Sequence, residues 1–253
     1  KPVRSGIIGK YVTLIDAYAL GWSASNARLE RVWESELPRD TPGCSVRKIR
    51  NGPVVGNLLA GYGSVVTFGH MGMNNTDAGL AEDFDRVALR VVEASSGRVV
   101  AEAGLRDWKS SPSLASLATG ASPSLVAGRI GGVYALGFAG TSPVERWNPD
   151  AGAPLGLNAA TPGPRSSPAL ADVNSDAVLD AIVGIEGDVS PGIVALDGNN
   201  GSVLWYFPVG SGGVSSSPAV GQLDGDDDFE IAFLGRDGRV HALDRCGSDA
   251  GAQ

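Results

Sequence analysis

Four prolines set the period of this chain. Pro53, Pro112, Pro168 and Pro218 each open the same run of signals and stand 59, 56 and 50 residues apart. A period of this size belongs to stacked repeats, in which one unit is too small to bury its hydrophobic face alone. The units start at Gly52-Pro53-Val54-Val55, Ser111-Pro112-Ser113-Leu114, Ser167-Pro168-Ala169-Leu170 and Ser217-Pro218-Ala219-Val220. In each, a short apolar strand follows the proline, and a loop leads from it into a strand of small and aliphatic residues.

These second strands are expected at 65–69, 125–128, 181–184 and 231–234, with third strands at 87–91, 133–136, 193–197 and 240–244. Outer strands follow in the first three units, at 98–101, 144–147 and 202–205. The turn Asp197-Gly198-Asn199-Asn200-Gly201 supplies residues that tolerate positive φ between a third and a fourth strand. Sustained helical periodicity is absent.

Four antiparallel strands in about 50 residues describe a propeller blade, whose inner strands are apolar because both faces pack on neighbouring blades. Tryptophan near the end of the outer strand, as at Trp147 and Trp205, can wedge between blades. A partial unit opens the chain, with 11–16 reading as a third strand and 28–33, ending in Trp33, as an outer one. The expected fold is therefore all-β: a β-propeller of four-stranded antiparallel blades, about four to five of them, in units near 5–37, 51–102, 110–147, 166–207 and 216–244. Residues 1–253 form either a small closed ring with a mixed final blade or part of a larger propeller completed by further blades from other sequence. The last unit lacks an outer strand, because residues 245–253 are polar and rich in Gly and Ala.

Composition agrees. The chain is 43% hydrophobic, and its 36 Gly and 15 Pro are spread throughout, which suits short strands and tight turns. A net charge of −8 argues against nucleic acid or an anionic membrane as partner. The apolar stretch from Ile7 to Trp22 is broken by Lys10 and Asp16, so no membrane insertion is expected. Lys1-Pro2-Val3-Arg4 has no apolar signal core, so any secretion signal is expected to have been removed or to lie outside this segment. Cys44 and Cys246 fit no zinc spacing and are either one long-range disulfide or two free thiols. Asn74 and Asn200 stand in glycosylation sequons, which matter only on a eukaryotic secretory route.

The loop from Asp172 to Asp180 places Asp172, Asn174, Asp176 and Asp180 at positions 1, 3, 5 and 9, with Val178 set to offer a carbonyl. Hard cations ask for this, since calcium takes six to eight oxygens from a compact, flexible turn. One unit later the same positions hold Gln222, Asp224, Asp226 and Glu230, enriched by Asp227 and Asp228. In the two earlier units they hold Ser116, Ala118, Gly120 and Ser124, and Asn57, Leu59, Gly61 and Val65, which offer a cation little. A plainer reading of the acidic loops is that they solvate hairpins.

On these residues, Asp172 to Trp205 resembles the FG-GAP/VCBS class of β-propeller repeats, found in integrin α-subunit heads and many bacterial surface proteins. Residues 195–205 are also similar to the docking motif of quinoprotein-type propellers, with Ala195, Asp197, Gly201 and Trp205 in place. The resemblance implies structural calcium in both acidic loops, although Ala177 stands where the family usually has glycine.

No catalytic constellation stands out: there is no Gly-x-Ser-x-Gly elbow, no phosphate-binding loop and no histidine pair at metal spacing. His241 reads as a packed residue of an inner strand, and His70 opens a loop-like insertion to about Asp85 that carries Met71, Met73 and an acidic run at 82–85. Trp22 and Trp108 fall outside the outer-strand positions. The expected function is a non-catalytic module that binds a protein or glycan partner in adhesion or scaffold assembly. Its expected location is extracellular or at the cell surface, periplasmic if bacterial. The alternative is a segment of a propeller enzyme, a quinoprotein dehydrogenase or a polysaccharide lyase.

Overall fold

The computed structural model describes residues 3–4, 11–12, 16–36, 46–49, 51–76, 79–104, 110–117, 122–129, 132–147, 164–210, 212–226 and 228–244. Contacts divide the chain into two units, 1–108 with 138–144 and 109–137 with 145–253. No helix occurs among the described residues.

In the first unit, β1 (Val3–Arg4) pairs β2 (Tyr11–Val12), and β3 (Asp16–Ser23) pairs β4 (Arg28–Glu36). The strand beside the first outer strand is thus 16–23, not 11–16. A tight turn makes Ser23 face Arg28, so β4 takes as partner the residues immediately before that turn. A second sheet runs in the order β5 (Val46–Ile49), β7 (Val65–Thr76), β8 (Gly79–Glu93), β9 (Val99–Gly104), with β6 (Val54–Gly56) also on β7. The expected insertion after His70 is not a loop. It extends the β7–β8 hairpin out to Thr76 facing Gly79, bulges between His70 and Gly72, and takes β5 along its free edge. Backbone pairing holds these residues extended, although Gly72, Asn74 and Asn75 are poor strand formers: Gly72 pairs both β5 and β8, and Asn74 and Asn75 pair β8.

The later sheets follow the expected blade. The third is β10 (Ser113–Ala115), β11 (Ser124–Arg129), β12 (Gly132–Ala139), β13 (Ser142–Glu145). The fourth is β14 (Ala169–Ala171), β15 (Asp180–Gly187), β16 (Gly192–Leu196), β17 (Val203–Pro208), with β18 (Gly212–Gly213) on the end of β15. The fifth has three strands, β19 (Ala219–Gly221), β20 (Glu230–Leu234) and β21 (Val240–Leu243), and no fourth among the described residues.

Alternation explains the stacking of sheets in the second unit. In the fourth sheet, Ala181, Val183, Ile185, Val194 and Leu196 are buried on one side against Val126, Val133, Ala135 and Trp147 of the third. Ile182, Ile193 and Ala195 face the other way, against Ile231 and Phe233 of the fifth. Successive side chains of a strand point to opposite faces, so every residue of β16 is buried. Burying one Ile fully contributes about 1.5–3 kcal/mol.

The innermost strands are also linked. Ser113 Oγ donates to the Pro168 carbonyl, and Ser217 Oγ accepts from Ser167 N at 3.0 Å. Sheets stacked face to face with their innermost strands in contact are blades, and the fold is a β-propeller type.

Candidate metal centre

The loops between the first and second strands of the fourth and fifth sheets are built alike. In the fourth, Asp172 closes the loop on itself: Oδ1 accepts from Asp176 N at 3.1 Å and Oδ2 from Ala177 N at 2.9 Å. Ser175 and Ala177 have φ of 62° and 65°, the left-handed region that a side chain disfavours. Ala177 holds that conformation where glycine would adopt it freely.

Asp180 begins β15 and is fully buried. Its Oδ2 accepts from Val173 N at 2.9 Å, and its Oδ1 accepts from Gly198 N at 2.8 Å. One carboxylate thus ties the start of the loop to the turn between β16 and β17. Burial pushes its pKa up and the charges of Asp176 and Asp197 add to this, while the two backbone N–H groups oppose it.

In the fifth sheet Glu230 takes the place of Asp180. Its Oε2 accepts from Leu223 N, but its buried Oε1 has no donor among the described residues. By register the counterpart of Gly198 is residue 245, which lies outside them.

Gln222 replaces Asp172. Its Oε1 accepts from Asp224 N at 2.9 Å and Gly225 N at 2.7 Å. Its Nε2 turns inward and donates to the Asp226 carbonyl, to Asp226 Oδ1 at 3.1 Å and to the Asp228 carbonyl at 2.8 Å. In the fourth sheet, the amide nitrogens of Asn174 and Asn199 meet Asp176 Oδ2 at 3.2 and 3.0 Å.

The two loops differ as cation sites. Among the described residues, the one group of three or more acidic or ligating side chains brought within 4.8 Å of one another is Asp224, Asp226 and Glu230. Asp172, Asp176 and Asp180 make no such trio. The donor chemistry of both loops suits a hard cation: carboxylates and side-chain amides, the latter offering oxygen in place of nitrogen after half a turn about the last bond. Val178 is buried, its N–H held by Asp176 Oδ1 at 2.8 Å, and Asp228 is half-buried.

The remaining candidates are dispersed. His241 stacks on Phe233 with ring centres 5.0 Å apart, and its Nε2 lies 3.1 Å from Asp237 Oδ2. Asn200 is exposed in the turn, where its Oδ1 accepts from Ser202 N at 2.7 Å. Cys44, Cys246 and Trp108 lie outside the described residues, as do the side chains of Trp22, His70, Met71, Met73 and Asn74.

One element escaped the sequence reading. Ser110 Oγ accepts from Gly128 N at 2.7 Å, Ser166 Oγ bonds Gly184 N and O, and Ser216 Oγ bonds Leu234 N and O. Each serine reaches 18 residues ahead, from just before the Ser-Pro step to the second strand of its own sheet. The signal was the triplet Ser-Ser-Pro, at 110–112, 166–168 and 216–218.

No protein-family model and no curated protein sequence matches the chain. Among solved structures it is similar to the rhamnogalacturonan lyase YesW, at 16% identity and a TM-score of 0.51, over 85% of this chain and 41% of the lyase. It is similar to the exotype rhamnogalacturonan lyase YesX at 18% identity and a TM-score of 0.50, over 89% of this chain and 39% of that one. A likeness to BamB from Moraxella catarrhalis covers 97% of this chain and 75% of BamB, with 13% identity and a TM-score of 0.41. The chain thus spans about two fifths of the length of the two lyases. At these identities the likeness to the two lyases shows the fold alone, a β-propeller.

Proposed function

We propose that the chain is a non-catalytic β-propeller module of the FG-GAP/VCBS type that presents its loops to a protein or glycan partner, outside the cell or at its surface. Calcium in the loops 172–180 and 222–230 is structural in this reading. The observation that carries it is the meeting of Asp224, Asp226 and Glu230 oxygens, with Glu230 Oε1 buried and without a partner among the described residues. Like charges so placed repel, and a divalent ion replaces that repulsion by coordination.

Thermal unfolding in calcium and in chelator tests the reading. Calcium should raise Tm, Asp226→Ala should remove most of the gain, and Asp176→Ala should remove the share of the fourth sheet. Identical melting with and without calcium would reject the metal. The likeness to two rhamnogalacturonan lyases supports a second reading, a segment of a polysaccharide lyase. Ultraviolet absorbance from a new conjugated double bond, on incubation with rhamnogalacturonan, would favour it.

A further inference from the structure

An antiparallel blade sends its first and third connections from one end, and its second connection and the return to the next blade from the other. The loops 172–179 and 222–229 and the turn 197–201 share the first end. There every described charged side chain is acidic. At the second end lies a cavity of about 360 Å³ lined by Arg165, Glu186, Gly187, Gly212 and Arg236.

Glu186 sits between the two arginines. Its Oε1 is 2.8 Å from Arg165 Nε and its Oε2 is 3.1 Å from Arg236 Nη1. The glutamate side chain is 10% exposed, the arginines 60% and 56%. One carboxylate therefore answers two cations, and a positive charge is left over. Each guanidinium has five N–H donors, and these contacts engage one nitrogen of each. Asp237, the acid of Arg236's own turn, is spent on His241 and on Arg239 N.

The floor is glycine. Gly187 on β15 faces Gly212 on β18, with φ of 104° and 93°. A Cβ at position 212 would stand 3.1 Å from the Arg236 stem, so a side chain there would press on the arginine.

We propose that this cavity binds an oxyanion, the carboxylate or phosphate group of a ligand, across Arg165 and Arg236, with Glu186 as the anchor that orients both. Guanidinium forks match the planar edge of these anions, and side chains already held in place lose less rotamer freedom on binding. An ion bridge serving only to join two blades has no need of exposed donors or an open, side-chain-free floor. The site is independent of calcium in the opposite loops.

The test is amide NMR of the whole chain, titrated separately with acetate and with inorganic phosphate at constant ionic strength held by sodium chloride. Saturable shifts at Gly187 and Gly212 are expected. Arg165→Gln, at an exposed position, should weaken binding about tenfold, and Arg165→Lys should restore only part, because charge returns without the fork. Saturation by acetate alone assigns a carboxylate, and saturation by phosphate alone assigns a phosphate group. Shifts that stay linear with both anions, or that are unchanged by Arg165→Gln, overturn the proposal.

Discussion

The indole N–H of Trp147 donates to the carbonyl of Gly198 at 2.8 Å, carrying a hydrogen bond from just beyond the outer strand of one sheet to a turn of the next. The first unit repeats the arrangement. Trp33 Nε1 donates to the Ala94 carbonyl at 2.7 Å, and Ala94, like Gly198, is the second residue of a turn closed by glycine. Gly97 N and Gly201 N bond back to Glu93 and Asp197 at 2.9 and 2.7 Å, with φ of 72° and 75°. A Cβ on Gly97 would lie 2.6 Å from the Trp33 ring, so this glycine is needed for both its conformation and its lack of a side chain.

Trp147→Phe keeps a buried ring but leaves the Gly198 carbonyl without its donor. Chemical denaturation should show a loss of about 1–3 kcal/mol. Trp147→Ala should cost about 3–5 kcal/mol by opening a cavity. Trp205, half-buried, should lose less on the same changes. Equal losses at positions 147 and 205 would argue against burial as the source.

How much of this was legible follows from which forces act locally. The strands around Val126, Ile182 and Ile231 announce themselves because small aliphatic residues between turn signals leave few alternatives. Trp147 and Trp33 are likewise readable as wedges from their place in the repeat. The extension of β7 and β8 was hidden, since Gly72 is held by pairing with β5 and β8, and Asn74 and Asn75 by pairing with β8, that no local pattern encodes. At the loops, oxygen spacing was readable but orientation was not. The burial of Asp180 depends on Gly198, 18 residues away, and the inward turn of the Gln222 amide depends on carbonyls of its own loop.

The serine staples should rank by burial. Ser110 and Ser166 are buried and Ser216 is less so. Ser166→Ala strands the N–H and carbonyl of Gly184 inside the sheet, at about 1–3 kcal/mol. Ser216→Ala lets water reach Leu234 and should cost less than either. Equilibrium unfolding of the three single variants checks the order, and a Ser216→Ala loss matching Ser166→Ala would refute it.

Gln222→Asp tests whether the amide stands in for a cation. The inward Nε2 donates to three oxygens, and an aspartate there supplies a carboxylate but no donor. Without calcium the variant should melt below wild type. With calcium its gain in Tm should exceed the wild-type gain, and calorimetric titration should show tighter binding. A variant that stays destabilised in calcium would show that the amide has only a structural role.

Asp180 and Asp237 should respond to pH with opposite signs. Burial, above all, raises the Asp180 pKa, so the folded protein holds this proton more tightly than the unfolded chain does. Its contribution to stability is therefore fullest below the unfolded value and declines as pH rises through the folded one. Asp237 is lowered, first by the N–H of Arg239 and then by His241, so its contribution is present above the unfolded value and is lost as pH falls through the folded one. Asp237→Asn should melt below wild type at neutral pH, with the gap closing in acid. Asp180→Asn turns an amide NH₂ toward one of the two backbone N–H donors and should cost about 1–3 kcal/mol. That gap should be widest in acid and narrow toward neutral pH, where the wild type carries the cost of its buried charge. Thermal melts of both variants across the acid range, in chelator so that no cation masks the charge, separate the two behaviours. An Asp180→Asn gap that widens as pH rises would mean that the two backbone N–H bonds outweigh burial at this carboxylate.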